Sequence, residues 1–205
     1  SDTAARFADE RIRPARENYE VPSAAVLIAV FHTDRVEIAE LGDCTVLIEA
    51  RGGIARYGGT AHGRALEKAN AARMMAPGGG RGPEVVAFLK GVRNRANTPD
   101  GYAIFMPDAG SGARARRHTH QATAADALFV TDGYEAAVDD YALFDEVGLF
   151  AEARRDIRGP LAALRAVEQA DPECTKYPRF KQSDDATAML VRFGPVQGAP
   201  ARTPN

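Results

Sequence analysis

The chain has 205 residues, of which 45% are hydrophobic and 26% charged, and a formal net charge of −2. That length suits one domain with a full core, the composition is globular rather than disordered, and the near-neutral balance gives no ground for nucleic acid as the main partner. No apolar run approaches the ~20 residues of a membrane span, no secretory leader is visible, and Cys44 and Cys174 form neither a CxxC nor a disulfide framework. The reducing cytoplasm is therefore the expected compartment.

Residues 3–13 read as a helix, with Ala4, Phe7, Ala8 and Ile12 near one face and Pro14 ending it. Residues 15–20 read as a further helical turn or a loop. The run AAVLIAVF at 24–31 is apolar throughout, which predicts a central strand covered on both faces. Residues 35–41 alternate, with Val36 and Ile38 on one face and Glu37 on the other, and predict a second strand. TVLIEA at 45–50 predicts a third, set between Gly42-Asp43 and Arg51-Gly52-Gly53. Three short strands joined by tight turns predict an antiparallel meander.

From residue 64 the period changes. Leu66, Ala69, Asn70, Arg73 and Met74 mark a helix, and the PGGGRG run at 77–82 breaks it. Pro83 opens a second helix to about residue 95, with Val85, Phe88, Leu89 and Val92 recurring at i, i+3, i+4 and i+7. This pair interrupts a β-rich chain and is expected as an insertion or a covering layer. Short strands are expected at 102–106, 114–120 and 127–130, helical segments at 134–138, 143–149 and 160–170, and a final strand at 186–193. From Pro195 a Pro/Gly/Ala tail is expected to be poorly ordered. The expected organisation is one domain over 1–194 and a flexible tail over 195–205. Strands first, helices between and a closing strand give an α+β fold, an antiparallel sheet system with helices outside.

Three acidic corners stand out: Gly42-Asp43-Cys44 between two strands, Thr131-Asp132-Gly133 after LFV, and Asp184-Asp185-Ala186-Thr187 before AMLVRF. An acid where an apolar run meets a turn puts a carboxylate at the mouth of a sheet, and carboxylate oxygens suit hard cations such as Mg²⁺ and Mn²⁺. Two such ions activate a bridging water and neutralise a phosphoryl oxygen, with no covalent enzyme intermediate. Each corner taken singly also reads as an ordinary turn, because Asp and Gly tolerate unusual backbone angles.

Other features weigh less. APGGGRGP at 76–83 resembles a phosphate cradle ahead of a helix but lacks P-loop spacing, so a connector is the plainer reading. His118 and His120 fall on one face of a strand without further ligands in sequence, beside a basic patch of Arg114, Arg116 and Arg117 that reads as a solvated face. His62 reads as a surface-loop histidine. Tyr177-Pro178-Arg179-Phe180-Lys181 reads either as an exposed loop or as a support for Asp184.

The joint order of the three corners resembles the metal-dependent type 2C protein serine/threonine phosphatases. Asn97-Thr98-Pro99-Asp100-Gly101-Tyr102 and Ala170-Asp171-Pro172, with the segment from Tyr177 to Thr187, look like a bacterial branch of that family. The resemblance runs from about Pro22 to Phe193. It implies a sandwich of two antiparallel β-sheets flanked by α-helices, with a cleft at one end holding two Mn²⁺ or Mg²⁺ ions. It implies Asp132 and Asp184 as catalytic metal ligands, Gly133 beside them, and Asp43 near a more variable additional metal site. Cys44 stands where the family usually has Ser. The family's first motifs, including an Asp-Gly whose carboxylate bridges both ions, precede its first helix. This chain starts at that helix, so the N-terminal strands are expected to be absent from it.

The expected function is that of a metal-dependent phosphomonoester hydrolase acting on phosphoserine or phosphothreonine in a protein, with no nucleic-acid or membrane partner. The rival is a non-catalytic regulatory or binding module with the same fold and an incomplete metal site. A third reading is an interaction domain in which all three corners are turns.

Overall fold

The computed structural model describes residues 2–10, 12–59, 61–74, 82–108 and 110–194, without the side chains of 2–4 and 61–66. The strands are β1 (Val26–Phe31), β2 (Arg35–Leu41), β3 (Thr45–Ala50), β4 (Gly53–Gly58), β5 (Arg116–Gln121), β6 (Ala125–Val130) and β7 (Ala188–Phe193). The helices are α1 (Asp2–Glu10), α2 (Ala61–Met74), α3 (Pro83–Asn94), α4 (Asp132–Asp139), α5 (Glu146–Arg155) and α6 (Gly159–Ala170). Short 3₁₀ turns lie at Asn18–Glu20 and Ser111–Arg114. The strands form a three-stranded sheet ordered β1-β2-β5 and a four-stranded sheet ordered β4-β3-β6-β7, antiparallel throughout. The expected architecture of two antiparallel sheets flanked by helices is the one observed.

The alternation of each strand decides which side it buries. Val36 and Ile38 of β2, Val46 and Ile48 of β3 and Ala127 of β6 meet between the sheets, with Leu27, Ala29, Phe129 and Phe193 packed around them. The opposite face of β3 and β6 sends Leu47, Leu128 and Val130 into a second core with Tyr134 and Ala137 of α4, Leu149 and Phe150 of α5 and Leu164 of α6. The four-stranded sheet is thus covered on both sides, which is why VLI at 46–48 and ALFV at 127–130 are apolar without a break. Asp145 caps α5, its carboxylate accepting from the Gly148 N–H at 2.6 Å. That cap sets the start of α5 three residues after the start of the 143–149 segment expected from apolar spacing.

Several expectations are corrected. The apolar run at 24–31 is not a central strand: β1 is the edge of the three-stranded sheet, and Ile28 and Val30 are 56% and 50% exposed on its outer face. The first three strands are not one meander, because β2 and β3 lie in different sheets and Gly42-Asp43-Cys44 carries the chain from one to the other. β4 was not foreseen at all. The strand expected at 102–106 reduces to a single bridge between Ala24 and Phe105.

α2 and α3 meet through Ala71 and Val85 around Phe180, with Met74, Phe88 and Leu89 beside them. The first loop fixes α3 in turn: Asn18 donates to the carbonyls of Asn94 and Ala96, and the Tyr19 N–H to Asn94 Oδ1. Most of the glycine-rich connector, residues 75–81, and the tail at 195–205 lie outside the described residues. Among the described residues, no helix is long and apolar enough to cross a membrane.

Candidate functional site

One row of paired residues brings the acidic corners to a common end. Thr45 of β3 pairs with Gly58 of β4 and with Val130 of β6, and Val130 pairs with Ala188 of β7. The residues one step beyond that row form a rim. The Gly59 N–H donates to the Cys44 carbonyl at 3.2 Å and the Thr131 N–H to the Thr187 carbonyl at 3.0 Å. The Thr187 N–H returns to Thr131 Oγ1 at 3.0 Å. Asp43 precedes Cys44, Asp132 follows Thr131, and Asp184 lies three residues before Thr187, so all three carboxylates are carried past the same sheet end.

Glycine makes two of these corners possible. Gly42 has φ +91°, and a Cβ there would lie 2.8 Å from the Ala25 Cβ. A Cβ on Gly133 would lie 2.2 Å from the Asp185 carbonyl oxygen and 3.0 Å from the Asp184 Cβ. The segment leading into β7 therefore rests on the backbone of the first turn of α4. Asp132 opens that turn, its carboxylate accepting from the Gly133 N–H at 2.8 Å.

The crowding shows in the neighbouring groups. Burial first, and then the charges of Asp43, Asp132, Glu135 and Glu40, push the Cys44 thiol up to about 11. Glu67 of α2 is also raised, first by burial and then by Asp132, Asp140 and Asp184, with Lys181 acting the other way. Glu67 is exposed at the surface, so repulsion from these acidic neighbours reaches it partly through solvent. Glu67 was missed in the sequence because it sits in an unremarkable helical stretch with no motif around it.

Asp184 already carries positive partners. Its Oδ1 accepts from the Lys181 ammonium and, at 2.7 Å, from the Asp185 N–H. Its carbonyl accepts from Arg165 of α6. Among the described residues, no three His, Cys, Asp or Glu side chains gather closely enough to hold a metal ion. Asp43, Asp132 and Asp184 thus share one end of the sandwich without closing on one point. Their oxygens, and the like-charge crowding felt at Glu67, suit a hard divalent cation in kind.

The loop between α6 and β7 is built rather than free. The Asp171 carboxylate accepts from the N–H groups of Thr175, Lys176 and Tyr177 at 3.0–3.1 Å, and from Arg179 at 2.7 Å. Arg179 also donates to the carbonyls of Glu168, Asp171, Tyr177 and Gln182. Burial acts to raise the Asp171 carboxyl, but Arg179 and the three N–H groups outweigh it and hold it well below its ordinary value.

The remaining candidates go elsewhere. His118 and His120 face β4: His118 Nε2 lies 2.9 Å from Glu40 Oε1, and His120 Nδ1 lies 3.0 Å from the Tyr57 hydroxyl. Arg116 joins Glu40 at 3.0 Å and Arg114 joins Asp108 at 3.1 Å, so two of the three arginines of the basic patch are in ion pairs. The side chain of His62 is outside the described residues. A groove of about 410 Å³ between α1 and the Ala24–Phe105 bridge is lined by none of the acidic-corner residues.

No protein-family model and no curated protein matches this chain. Its structure is similar to solved phosphatases of the type 2C kind. One is a bacterial serine phosphatase, at 14% identity and TM-score 0.45, the match covering 84% of this chain and 59% of that one. This chain therefore spans less than two thirds of that protein. Another is the Mycobacterium tuberculosis serine/threonine phosphatase PstP/Ppp, at 16% identity and TM-score 0.47, covering 95% of this chain and 67% of that one. A third is the photosystem II phosphatase PBCP, at 13% identity and TM-score 0.46, covering 93% and 76%.

Proposed function

We propose that this chain carries carboxylate ligands of a metal-dependent phosphomonoester hydrolase acting on phosphoserine or phosphothreonine in proteins. Asp132 and Asp184 are the catalytic metal ligands in this reading, Gly133 lies beside them in the metal site, and Asp43 serves a further cation position. The observation that carries it is the Thr45–Val130–Ala188 row, which delivers three separate acidic corners to one sheet end. Two bound Mn²⁺ or Mg²⁺ ions would supply an activated water and neutralise a phosphoryl oxygen. The chain's own contribution is to hold oxygen donors on rigid supports. Asp132 stands on the first turn of α4, and Asp184 is held by Arg165 and by the loop tied at Asp171. Residues 1–194 are taken as one domain. Two free cysteines, one of them buried, are compatible with a reducing, cytoplasmic setting.

A second reading, a non-catalytic binding module, is favoured by two observations: Asp184 is bonded to Lys181, and among the described residues no three metal-ligating side chains close on a point. Mn²⁺-dependent hydrolysis of an aryl phosphate, with Asp132→Ala and Asp184→Ala as controls, separates the two. Activity lost in both variants supports the hydrolase. No activity and no Mn²⁺ binding by calorimetry supports the module.

A further inference from the structure

β1 is an edge strand without the usual guards. Of the large apolar side chains exposed among the described residues, Ile28, Val30 and Phe31 fall close together on it, at 56%, 50% and 37%. Its sequence, VLIAVF, carries no charge. The other edge strands each carry arginine: Arg56 on β4, Arg192 on β7, and Arg116 and Arg117 on β5. Edge strands are ordinarily protected by charges, proline or bulges, because their open backbone invites another strand.

The pairing pattern shows which backbone groups of β1 are open. The His32 N–H donates to the Arg35 carbonyl at 2.8 Å, so these two residues form a bonded pair at the turn. Bonded and unbonded pairs alternate along an antiparallel ladder. Val30, Ile28 and Val26 therefore turn their N–H and C=O groups toward Glu37, Ala39 and Leu41 of β2. Ala24 continues that side, exchanging hydrogen bonds with Phe105 at 3.0 and 3.1 Å. Leu27, Ala29 and Phe31 turn their groups the other way, off the edge of the sheet.

We propose that this edge pairs with the same edge of a second copy of the chain, antiparallel and centred on Ile28. The segment VLIAV at 26–30 reads nearly the same from both ends. In that register Val26 of one copy faces Val30 of the other, the large Leu27 faces the small Ala29, and Ile28 faces its own counterpart. The open groups of Leu27 and Ala29 bond each other, and no charge along the row is left without water or opposed by its like. A six-residue strand makes an interface at or below the ~1,200 Å² where standard interfaces begin, so the dimer is weak and concentration-dependent. It leaves both acidic ends open. Val26 pairs with Leu41, next to Gly42-Asp43, so β1 begins at the acidic end, and antiparallel copies carry those ends to opposite sides of the joint sheet.

The test is sedimentation velocity of the unaltered chain from low micromolar to submillimolar concentration, beside Ile28→Lys and Val147→Lys. The unaltered chain is expected to pass from monomer to dimer. Ile28→Lys sets two ammonium groups opposite each other and is expected to weaken the dimer about tenfold or more. Val147 of α5 is as exposed as Ile28, and Val147→Lys is expected to leave the dimer unchanged. The register is read by oxidative cross-linking. Ile28 and its counterpart form an unbonded pair with Cα atoms about 4.5 Å apart, within disulfide reach, so Ile28→Cys is expected to cross-link to itself. Val30→Cys, which faces Val26, is not. Urea midpoints close to that of the unaltered chain are expected for every variant, because the replaced side chains are exposed. A chain that sediments as a monomer throughout, or an Ile28→Lys variant that dimerises as well as the unaltered chain, overturns the pairing. Cross-linking of Val30→Cys as readily as Ile28→Cys overturns its register.

Discussion

Gly133 and Asp185 meet across the start of α4 and the lead-in to β7, where a Cβ on Gly133 would stand 2.2 Å from the Asp185 carbonyl oxygen. The obstacle is backbone, which cannot swing aside as a side chain does. Gly133→Ala is therefore expected to cost about 1–3 kcal/mol, the usual range for overpacking, read as a lower urea midpoint. The same variant should push the 184–187 segment away from Asp132, so the two carboxylates part even where the fold survives.

Arg56 of β4 is a second point of leverage. Its guanidinium lies 2.8 Å from Glu135, 2.9 Å from Asp139 and 3.1 Å from Glu146, and the Glu135 side chain is 2% exposed. Arg56→Met takes a guanidinium away from that buried carboxylate and from Asp139 and Glu146, and a loss of about 3–5 kcal/mol is expected. Adding Glu135→Gln should recover part of the loss, which a double-mutant cycle in urea would measure.

Asp171 predicts how the protein responds to acid. Its folded pKa is depressed below the ordinary 3.8 by the bonds from Arg179 and the 175–177 N–H groups. A carboxylate of this kind adds stability that is present above its unfolded value and is lost as the pH falls toward the folded one. The unaltered chain should therefore lose stability below about pH 4, the ordinary range for an aspartate, and Asp171→Asn should start less stable at pH 7 and lose less over that window. Urea titrations at several pH values would show it. Equal slopes for the two proteins would contradict the assignment.

Thr45 offers a milder test. It is fully buried and its hydroxyl has no hydrogen-bond partner among the described residues. Thr45→Val removes that group at nearly constant shape, so stability is expected to be unchanged or to rise by about 1 kcal/mol. A loss of more than that in thermal melts would mean the hydroxyl is satisfied by a water.

The acidic corners were legible in the sequence because each sits at the end of an apolar run, and turn residues declare themselves locally. β3 and β6 were legible for a related reason, since a sheet covered on both sides writes an unbroken apolar run. The same reasoning misled at 24–31, where an equally apolar strand has one face uncovered; composition records the run but not what packs on it. β4 was hidden by Arg56, which interrupts the apolar pattern and is accommodated only by acids some eighty to ninety residues further on. The closeness of Asp132 and Asp184 was beyond local reading too, because it depends on pairings between β3, β6 and β7.

The two sheets are fastened differently along their two flanks. On one, β5 and β4 are joined by the His120–Tyr57 hydrogen bond and by the Tyr57 ring, 5.3 Å from that of His118. On the other, Phe31 of β1 meets Phe129 and Phe193 by ring contact alone, and Met189 of β7 is 53% exposed. The sandwich is thus bound like a book, with a polar spine and a loose fore-edge. It should open from the fore-edge, so the amides of β1 and β7 are expected to exchange with solvent before those of β2 and β3, while the pages stay joined at the spine.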